Sequence, residues 1–250
     1  MALTTGVRVP ERAPSVVGVL LAAGAGRRAG GPKALRRDTH GRPWVVTAGR
    51  TLRVGGCEDV VVVVGSRSET VASVLVGEPV DVVAAPDWDG GLSASLRRGL
   101  ERARDVDPTA VLVHLVDLPD VGAAVVERVL AAGPVDRRVL RRAAYDGRPG
   151  HPVLIGADHL PDLVASLTGD RGAGAYLSDH HVRLVPCGDL AGGQDVDGRE
   201  SSGSKVGSDR VGSDRVGSDR VGSDRVGSDR AGSDRVGSDR VGSDRVGSVT

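Results

Sequence analysis

The sequence predicts an α/β domain built on a largely parallel sheet covered by helices. Short Val- and Leu-rich runs alternate with longer stretches of helical periodicity, the pattern of strands joined by crossover helices. Aromatic residues make up 2% of the 250 residues and Phe is absent, so the core has to be assembled from Val, Leu and Ala, which suits strands buried on both faces. A Gly/Arg-rich loop follows the first apolar run and an Asp-containing loop follows the fourth. In open parallel sheets ligands gather beyond the carboxyl ends of the strands, so both loops are expected on one rim.

Strands are expected at Val16–Ala22, Asp59–Val64, Val80–Ala84, Ala110–Val116, Arg138–Arg141, His151–Ile155 and Val182–Pro186, each a short apolar or β-branched run. Helical patterns fill the gaps at Val45–Val54, Ser68–Val76, Leu92–Arg104, Gly122–Ala131 and Gly172–Asp179. Residues 1–14 read as a flexible leading segment and residues 15–200 as the working domain. From Val206 to Arg245 the chain repeats VGSDR in eight units, one of them AGSDR. A five-residue period fits neither a strand nor an ordinary helix, and one small apolar residue per unit cannot offset the entropy of ordering, so residues 201–250 are expected to be a disordered repeat tail.

Lys plus Arg and Asp plus Glu both number 33, which leaves no global field to attract nucleic acid or an anionic membrane. No apolar run is long enough to span a bilayer, and the first residues lack a signal-peptide core. Cys57 and Cys187 match no metal or redox spacing. A reduced, cytoplasmic setting follows.

Residues 19–35 read VLLAAGAGRRAGGPKAL. Gly24, Gly26, Gly30 and Gly31 let a backbone approach an anion closely with its amides turned toward it. Arg27, Arg28 and Lys33 add cations, so the segment could hold a triphosphate. On these residues alone a solvated basic loop stays open as an alternative. Two phosphate motifs are excluded by spacing: Lys33 lies between Pro32 and Ala34 rather than in a Gly-Lys-Ser/Thr ending. The glycines also miss G-x-G-x-x-G by one residue, and the second strand, DVVVVVG, does not end in a ribose-binding acid.

The run L-A-A-G-x-G-x-R-x-G-x-P-K, continuous from Leu21 to Leu35, resembles the MobA-like NTP-transferase family, and within it the molybdenum cofactor cytidylyltransferases. The resemblance covers roughly residues 15–197. It implies a Rossmann-like fold of the nucleotide-diphospho-sugar-transferase type with a mixed, mostly parallel sheet. It places Leu21, Ala22, Ala23, Gly24, Gly26 and Gly30 along the nucleotide, with Arg28 and Lys33 on its phosphates. Ala22 and Ala23 stand where guanylyltransferases tend to carry glycines, which resembles the cytidine-preferring branch.

Other segments extend the match. VHLVDLPDV, residues 113–121, carries the family's D-x-P aspartate at Asp117, which implies a magnesium ligand; capping of the following helix is the alternative. Asp120 receives no role, and His114 reads as a core residue. In PDWDGGLSASLRRGL, Ser93 and Ser95 are implied to lie against base and ribose, Ser93 being equally a helix N-cap, while Arg97 and Arg98 read as an outer helix face. GRPGHPVLI places Gly150, His151 and Pro152 at the implied acceptor pocket, with a packing role at the start of a strand as the alternative for His151. GDRGAGAYL has Gly174 where the family has Arg. Asp195 of the DVD segment is implied to complete the metal site with Asp117, although Gly198–Ser201 departs from the family's closing T-P-E-D.

The resemblance therefore implies a magnesium-dependent nucleotidyltransferase moving a nucleoside monophosphate, CMP from CTP, to a small phosphorylated acceptor such as molybdenum cofactor, with a molybdoenzyme as downstream partner. A related transferase for another phospho-acceptor and a non-catalytic nucleotide-binding partner of a cofactor enzyme remain as other readings.

Overall fold

The computed structural model describes residues 14–196. The expectations for the leading segment, for Gly198–Ser201 and for the repeat tail lie outside the described residues. Seven strands form one sheet: β1 (Val16–Ala22), β2 (Asp59–Val64), β3 (Asp81–Ala84), β4 (Ala110–Leu115), β5 (Leu140–Tyr145), β6 (Arg148–Gly156) and β7 (Arg183–Pro186). Their order is β3-β2-β1-β4-β6-β5-β7. β6 runs antiparallel to β4 and β5, and the other neighbouring pairs are parallel. The sheet is thus mixed and mostly parallel, as expected.

Successive side chains of a strand point to opposite faces, and here both faces are buried. Val16, Leu20 and Ala22 of β1 enter one apolar layer, while Val17, Val19 and Leu21 enter the other. The first layer is closed by α1 (Trp44–Val54) and α4 (Ala123–Ala131), through Val45, Leu52, Val125 and Val129. The second is closed by α3 (Leu92–Arg104) and α5 (Leu160–Ser166), through Leu96, Leu100, Leu160 and Leu163. Two short helices, α2 (Ser68–Ser73) and α6 (Gly174–Ser178), complete the described set. Two-sided burial explains why the central strands read as unbroken Val/Leu runs rather than alternating ones.

Gly99 sets how closely α3 lies on the sheet. A Cβ there would stand 2.6 Å from Val19 Cγ1 and 2.8 Å from Val63 Cγ2, so any side chain would lift the helix. Ser95, about one turn earlier, is thereby held low beside the carboxyl end of β1.

Three local expectations need correction. The strand placed at Arg138–Arg141 is Leu140–Tyr145. Asp146 (φ 50°) and Gly147 (φ 77°) form a two-residue turn of the hairpin-favouring kind. Tyr145 then pairs with Arg148, which makes β6 antiparallel. Helix α5 was not expected; its first turn contains Pro161, a position where the missing N–H costs nothing. Arg97 does not face solvent: its guanidinium donates to the carbonyls of Val164 (2.7 Å) and Leu167 (2.8 Å), reinforcing the end of α5, where the Val164 carbonyl otherwise accepts only the Leu167 amide at 3.4 Å.

Candidate functional site

Strands β1 and β4 are parallel neighbours with Leu21 opposite Leu115, so the loops that follow them leave the same rim side by side. The Val116 amide donates to the Leu21 carbonyl at 3.2 Å, and the Ser66 amide to that of Ala23 at 2.9 Å, fixing the root of the glycine loop. The loop then turns sharply. Gly26 is left-handed (φ 57°), Arg27–Ala29 make one 3-10 turn, and Gly30 is left-handed again (φ 78°). The amides of Ala29 and Gly31 donate to the Gly26 carbonyl at 2.8 and 3.1 Å. A Cβ on Gly26 would fall onto the carbonyl of Gly31, so glycine is required there twice over. No hydrogen bond within the described residues uses the amides of Gly24, Ala25 or Gly26.

A cleft of about 610 Å³ opens at this rim. Of the residues singled out in the sequence, Leu21, Ala23, Gly24, Gly26, Arg28, Lys33, Ser95 and Asp117 line it. Ala22 does not; it is 1% exposed and packs in the α1/α4 layer. Gly30 lies outside the lining. Ser93 is buried on α3 with its hydroxyl unpartnered. It is not the N-cap, since Gly91 holds that position. Trp88, Asp89 and Asp170 line the cleft as well. Asp170 arrives because the backbone at Gly169 approaches Gly91 so closely that a Cβ on Gly91 would stand 2.8 Å from it.

Lys33 and Asp117, 84 residues apart in sequence, meet in the cleft. Lys33 Nζ donates to Asp117 Oδ2 at 2.9 Å, with side chains 15% and 22% exposed. Lys33 is set by the turn after Pro32, and Asp117 by the end of β4, whose loop is pinned beneath by buried Leu118 and Val121. Asp120 has a part that the sequence did not reveal. Its carboxylate accepts the amides of Gly192 and Gly193 at 2.8 and 2.9 Å, and the Val196 amide donates to the Asp117 carbonyl at 3.1 Å. The stretch carrying exposed Asp195 is thereby strapped to the Asp117 loop.

Among the described residues no group of three or more His, Cys, Asp or Glu side chains forms a ready-made metal cage. Magnesium does not need one, because it commonly binds through one or two carboxylates, substrate phosphates and water. The hard oxygens of Asp117, with Asp195 on the adjoining strap, fit that pattern.

Of the three residues expected at the acceptor, only His151 lines a second, smaller cavity of about 120 Å³, together with Arg142 and Arg171; Gly150 and Pro152 lie outside its lining. Gly150 is structural: a Cβ there would press on the Tyr145 ring at 2.6 Å, and its carbonyl accepts Arg142 Nε at 2.7 Å. Tyr145 donates its hydroxyl to the His151 carbonyl at 2.6 Å, and a Cβ on Gly193 would overlap the same ring. Pro152 is buried after a cis peptide bond. Burial pushes the His151 pKa down to about 3, helped by the neighbouring His114 imidazole and Arg142. His114 is a core residue, as expected. It is fully buried, its pKa is pushed down to about 4 by burial, and both ring nitrogens lack partners.

The sheet order, the glycine turn and the Lys33–Asp117 pair at one rim define a nucleotide-handling α/β transferase domain. A family model of the MobA-like NTP transferase domain matches residues 18–184, and the chain belongs to that family. Its class is that of the nucleotidyltransferases, enzymes that take a nucleoside triphosphate. The chain is similar to the nicotine blue oxidoreductase of Paenarthrobacter nicotinovorans, 38% identical over 74% of this chain and 93% of that one. It is also similar to the 2-C-methyl-D-erythritol 4-phosphate cytidylyltransferase of Frankia casuarinae, 36% identical over 66% of this chain and 56% of the relative. Among solved structures it resembles a Mycobacterium tuberculosis H37Rv protein, with TM-score 0.63 and 27% identity over 74% of this chain and 94% of that one. That mycobacterial protein has also been solved in complex with manganese, with TM-score 0.57 and 26% identity over 69% of this chain and 88% of that one.

Proposed function

We propose that the chain transfers CMP from CTP to a small phosphorylated acceptor, releasing pyrophosphate. An acceptor phosphate oxygen attacks the α-phosphorus, the bond from that phosphorus to the bridging oxygen breaks, and pyrophosphate leaves with the electron pair. The nucleophile is already anionic, so no side chain has to activate it; the protein's contribution is positioning and charge stabilisation. The observation that carries this reading is the Lys33–Asp117 contact at 2.9 Å beside a glycine turn in which the amides of Gly24, Ala25 and Gly26 have no partner among the described residues. The amides of Gly24 and Gly26, with Arg28 and Lys33, hold the triphosphate, Lys33 exchanging its carboxylate partner for phosphate. Asp117 and Asp195 would hold magnesium, which when bound supplies charge neutralisation at the phosphates. Ser95 and Ala23 face the nucleoside, and His151 borders the acceptor. Of the two alanines only Ala23 lines the cleft, so the preference for CTP over GTP rests on its methyl group. The resemblance to cytidylyltransferases makes molybdenum cofactor the acceptor to try first, with a molybdoenzyme receiving the product in the cytoplasm.

The test is pyrophosphate release with each of four NTPs, with and without molybdenum cofactor. CTP is expected to exceed GTP by roughly 10- to 200-fold, the range for a steric preference of this size. Asp117→Asn is expected to keep the fold and lower turnover by orders of magnitude; near-normal release at saturating magnesium sinks the assignment. The name of the relative from Paenarthrobacter nicotinovorans favours a second reading, in which the same cleft serves a redox reaction. Oxidation or reduction of nicotine blue, with no NTP turnover, would favour that reading instead.

A further inference from the structure

The cavity of about 120 Å³ beside His151 has a charge that the nucleotide reading does not use. Arg142 from β5 lines it, with its Nε committed to the Gly150 carbonyl at 2.7 Å. Its two terminal nitrogens have no hydrogen-bond or ion-pair partner among the described residues. Arg171, exposed on the turn Gly169–Arg171, is the second cation of the lining. Among the described residues no Asp or Glu lines the cavity; apart from the two arginines and His151 the wall is apolar, formed by Leu96, Val153 and Ile155 among others. His151 adds no charge at neutral pH, because burial holds its pKa at about 3. Burial also lowers the Arg142 pKa, with no carboxylate to counter it.

A half-buried guanidinium without a counter-charge loses hydration and receives nothing from the protein in return. Its terminal N–H groups form a planar fork that matches an oxyanion bidentately. The space adjoins the larger cleft, since Leu21, Leu92 and Leu115 line both. One water needs roughly 10–15 Å³, so a cavity of about 120 Å³ admits several, and a small ligand group can displace them.

We propose that this cavity receives an oxyanion, carboxylate or phosphate, carried on an apolar body, with Arg142 as its fork and Arg171 as the outer cation. The assignment rests on the transferase reading for its meaning, because the molecule so held is the acceptor. An acceptor without an oxyanion on its apolar part is then a poor substrate, whatever its reacting phosphate. The assignment also gives Gly150 a purpose beyond packing, since its carbonyl fixes the plane of the Arg142 guanidinium.

The experiment is an NMR titration of the full-length ¹⁵N-labelled protein at constant ionic strength, with inorganic phosphate, benzoate and chloride as separate arms. The expected result is a saturable shift of the Arg142 Nε–H and His151 ring resonances with phosphate, benzoate or both, and none with chloride. Phosphate against benzoate decides which oxyanion is preferred. Arg142→Met is expected to weaken the response roughly ten- to hundredfold, the range for losing hydrogen bonds to a charged group. Arg171→Gln, at an exposed position where folding is not at stake, is expected to weaken it to a smaller degree. The absence of any saturable Arg142 shift in the wild-type protein, or unchanged affinity in both variants, overturns the proposal. In the same samples, CTP is followed at the Gly24 and Gly26 amides. Loss of that response alone defeats the nucleotide reading and leaves the oxyanion site standing.

Discussion

Acid should unfold this protein earlier than its carboxylates alone require, and His114 is the residue to test. It lies in β4 with 0% exposure and neither ring nitrogen partnered. Burial pushes its pKa from 6.5 down to about 4, against a weaker upward pull from Asp117 and Asp120. In the unfolded chain the imidazole takes a proton near pH 6.5, as any free histidine does. Between those two values the unfolded state binds a proton that the folded state refuses. The contribution of His114 is therefore intact above about pH 6.5 and declines as pH falls toward about 4. Each pH unit separating the two values is worth roughly 1.4 kcal/mol, so the whole loss is about 3 kcal/mol, and about 2 kcal/mol of it is gone by about pH 5. His151 acts in the same direction, with its pKa held at about 3. His114→Leu removes one of the two contributions. It also replaces two desolvated nitrogens by carbon of similar bulk, a change that is commonly neutral or stabilising. Urea unfolding at about pH 7 and about pH 5 measures both effects. The variant is expected to be at least as stable as the parent at the higher pH and to lose about 2 kcal/mol less on acidification. An unchanged pH dependence, or a variant destabilised at neutral pH, would mean that the imidazole has a partner and that this reasoning is wrong.

Two further outcomes follow from contacts that join distant segments. Arg97→Ala leaves the Leu167 carbonyl without its side-chain donor and the Val164 carbonyl with only the Leu167 amide at 3.4 Å; a loss of about 1–3 kcal/mol of stability is expected, read by thermal or urea unfolding, with nucleotide affinity unchanged. Asp120→Ala frees the amides of Gly192 and Gly193. Hydrogen exchange at those two amides is expected to accelerate, and the magnesium concentration needed for half-maximal turnover to rise more than the KM for CTP. If both parameters move together, the strap does not position Asp195.

Much of this architecture is readable from the chain alone because its strands are buried on both faces. VVGVLLA and DVVVVV are continuous apolar runs whose ends coincide with Val16–Ala22 and Asp59–Val64. The helix Leu92–Arg104 is likewise bounded as its periodicity suggests. The β5–β6 hairpin is harder to see because Arg141 and Arg142 interrupt the apolar pattern. Arg141 is nonetheless 4% exposed, its guanidinium spent on the carbonyls of Val129 and Leu130. The Asp146–Gly147 turn was the available signal. In the cleft, the glycine loop and Asp117 are local motifs and could be recognised as such. Asp120, Arg142 and Asp170 acquire their places only through contacts across the fold; 72 residues separate Asp120 from Gly192. Helical periodicity likewise cannot distinguish an arginine reaching water from Arg97, whose acceptors lie 67 and 70 residues further on.

The Tyr145 ring constrains how this site can change by mutation. It occupies the space that a side chain on either Gly150 or Gly193 would need, and those glycines belong to separate segments, one in β6 and one on the stretch held by Asp120. While Tyr145 remains, both sites are closed to every replacement, however favourable the new side chain would be for a different substrate. A smaller residue at Tyr145 would open Gly150, at the cost of its hydrogen bond to the His151 carbonyl, whereas Gly193, at φ 62°, would remain strained for a side chain even then. Any lineage that places a side chain at Gly150 must therefore change the tyrosine first, and the order of those substitutions is set before selection for a new acceptor begins.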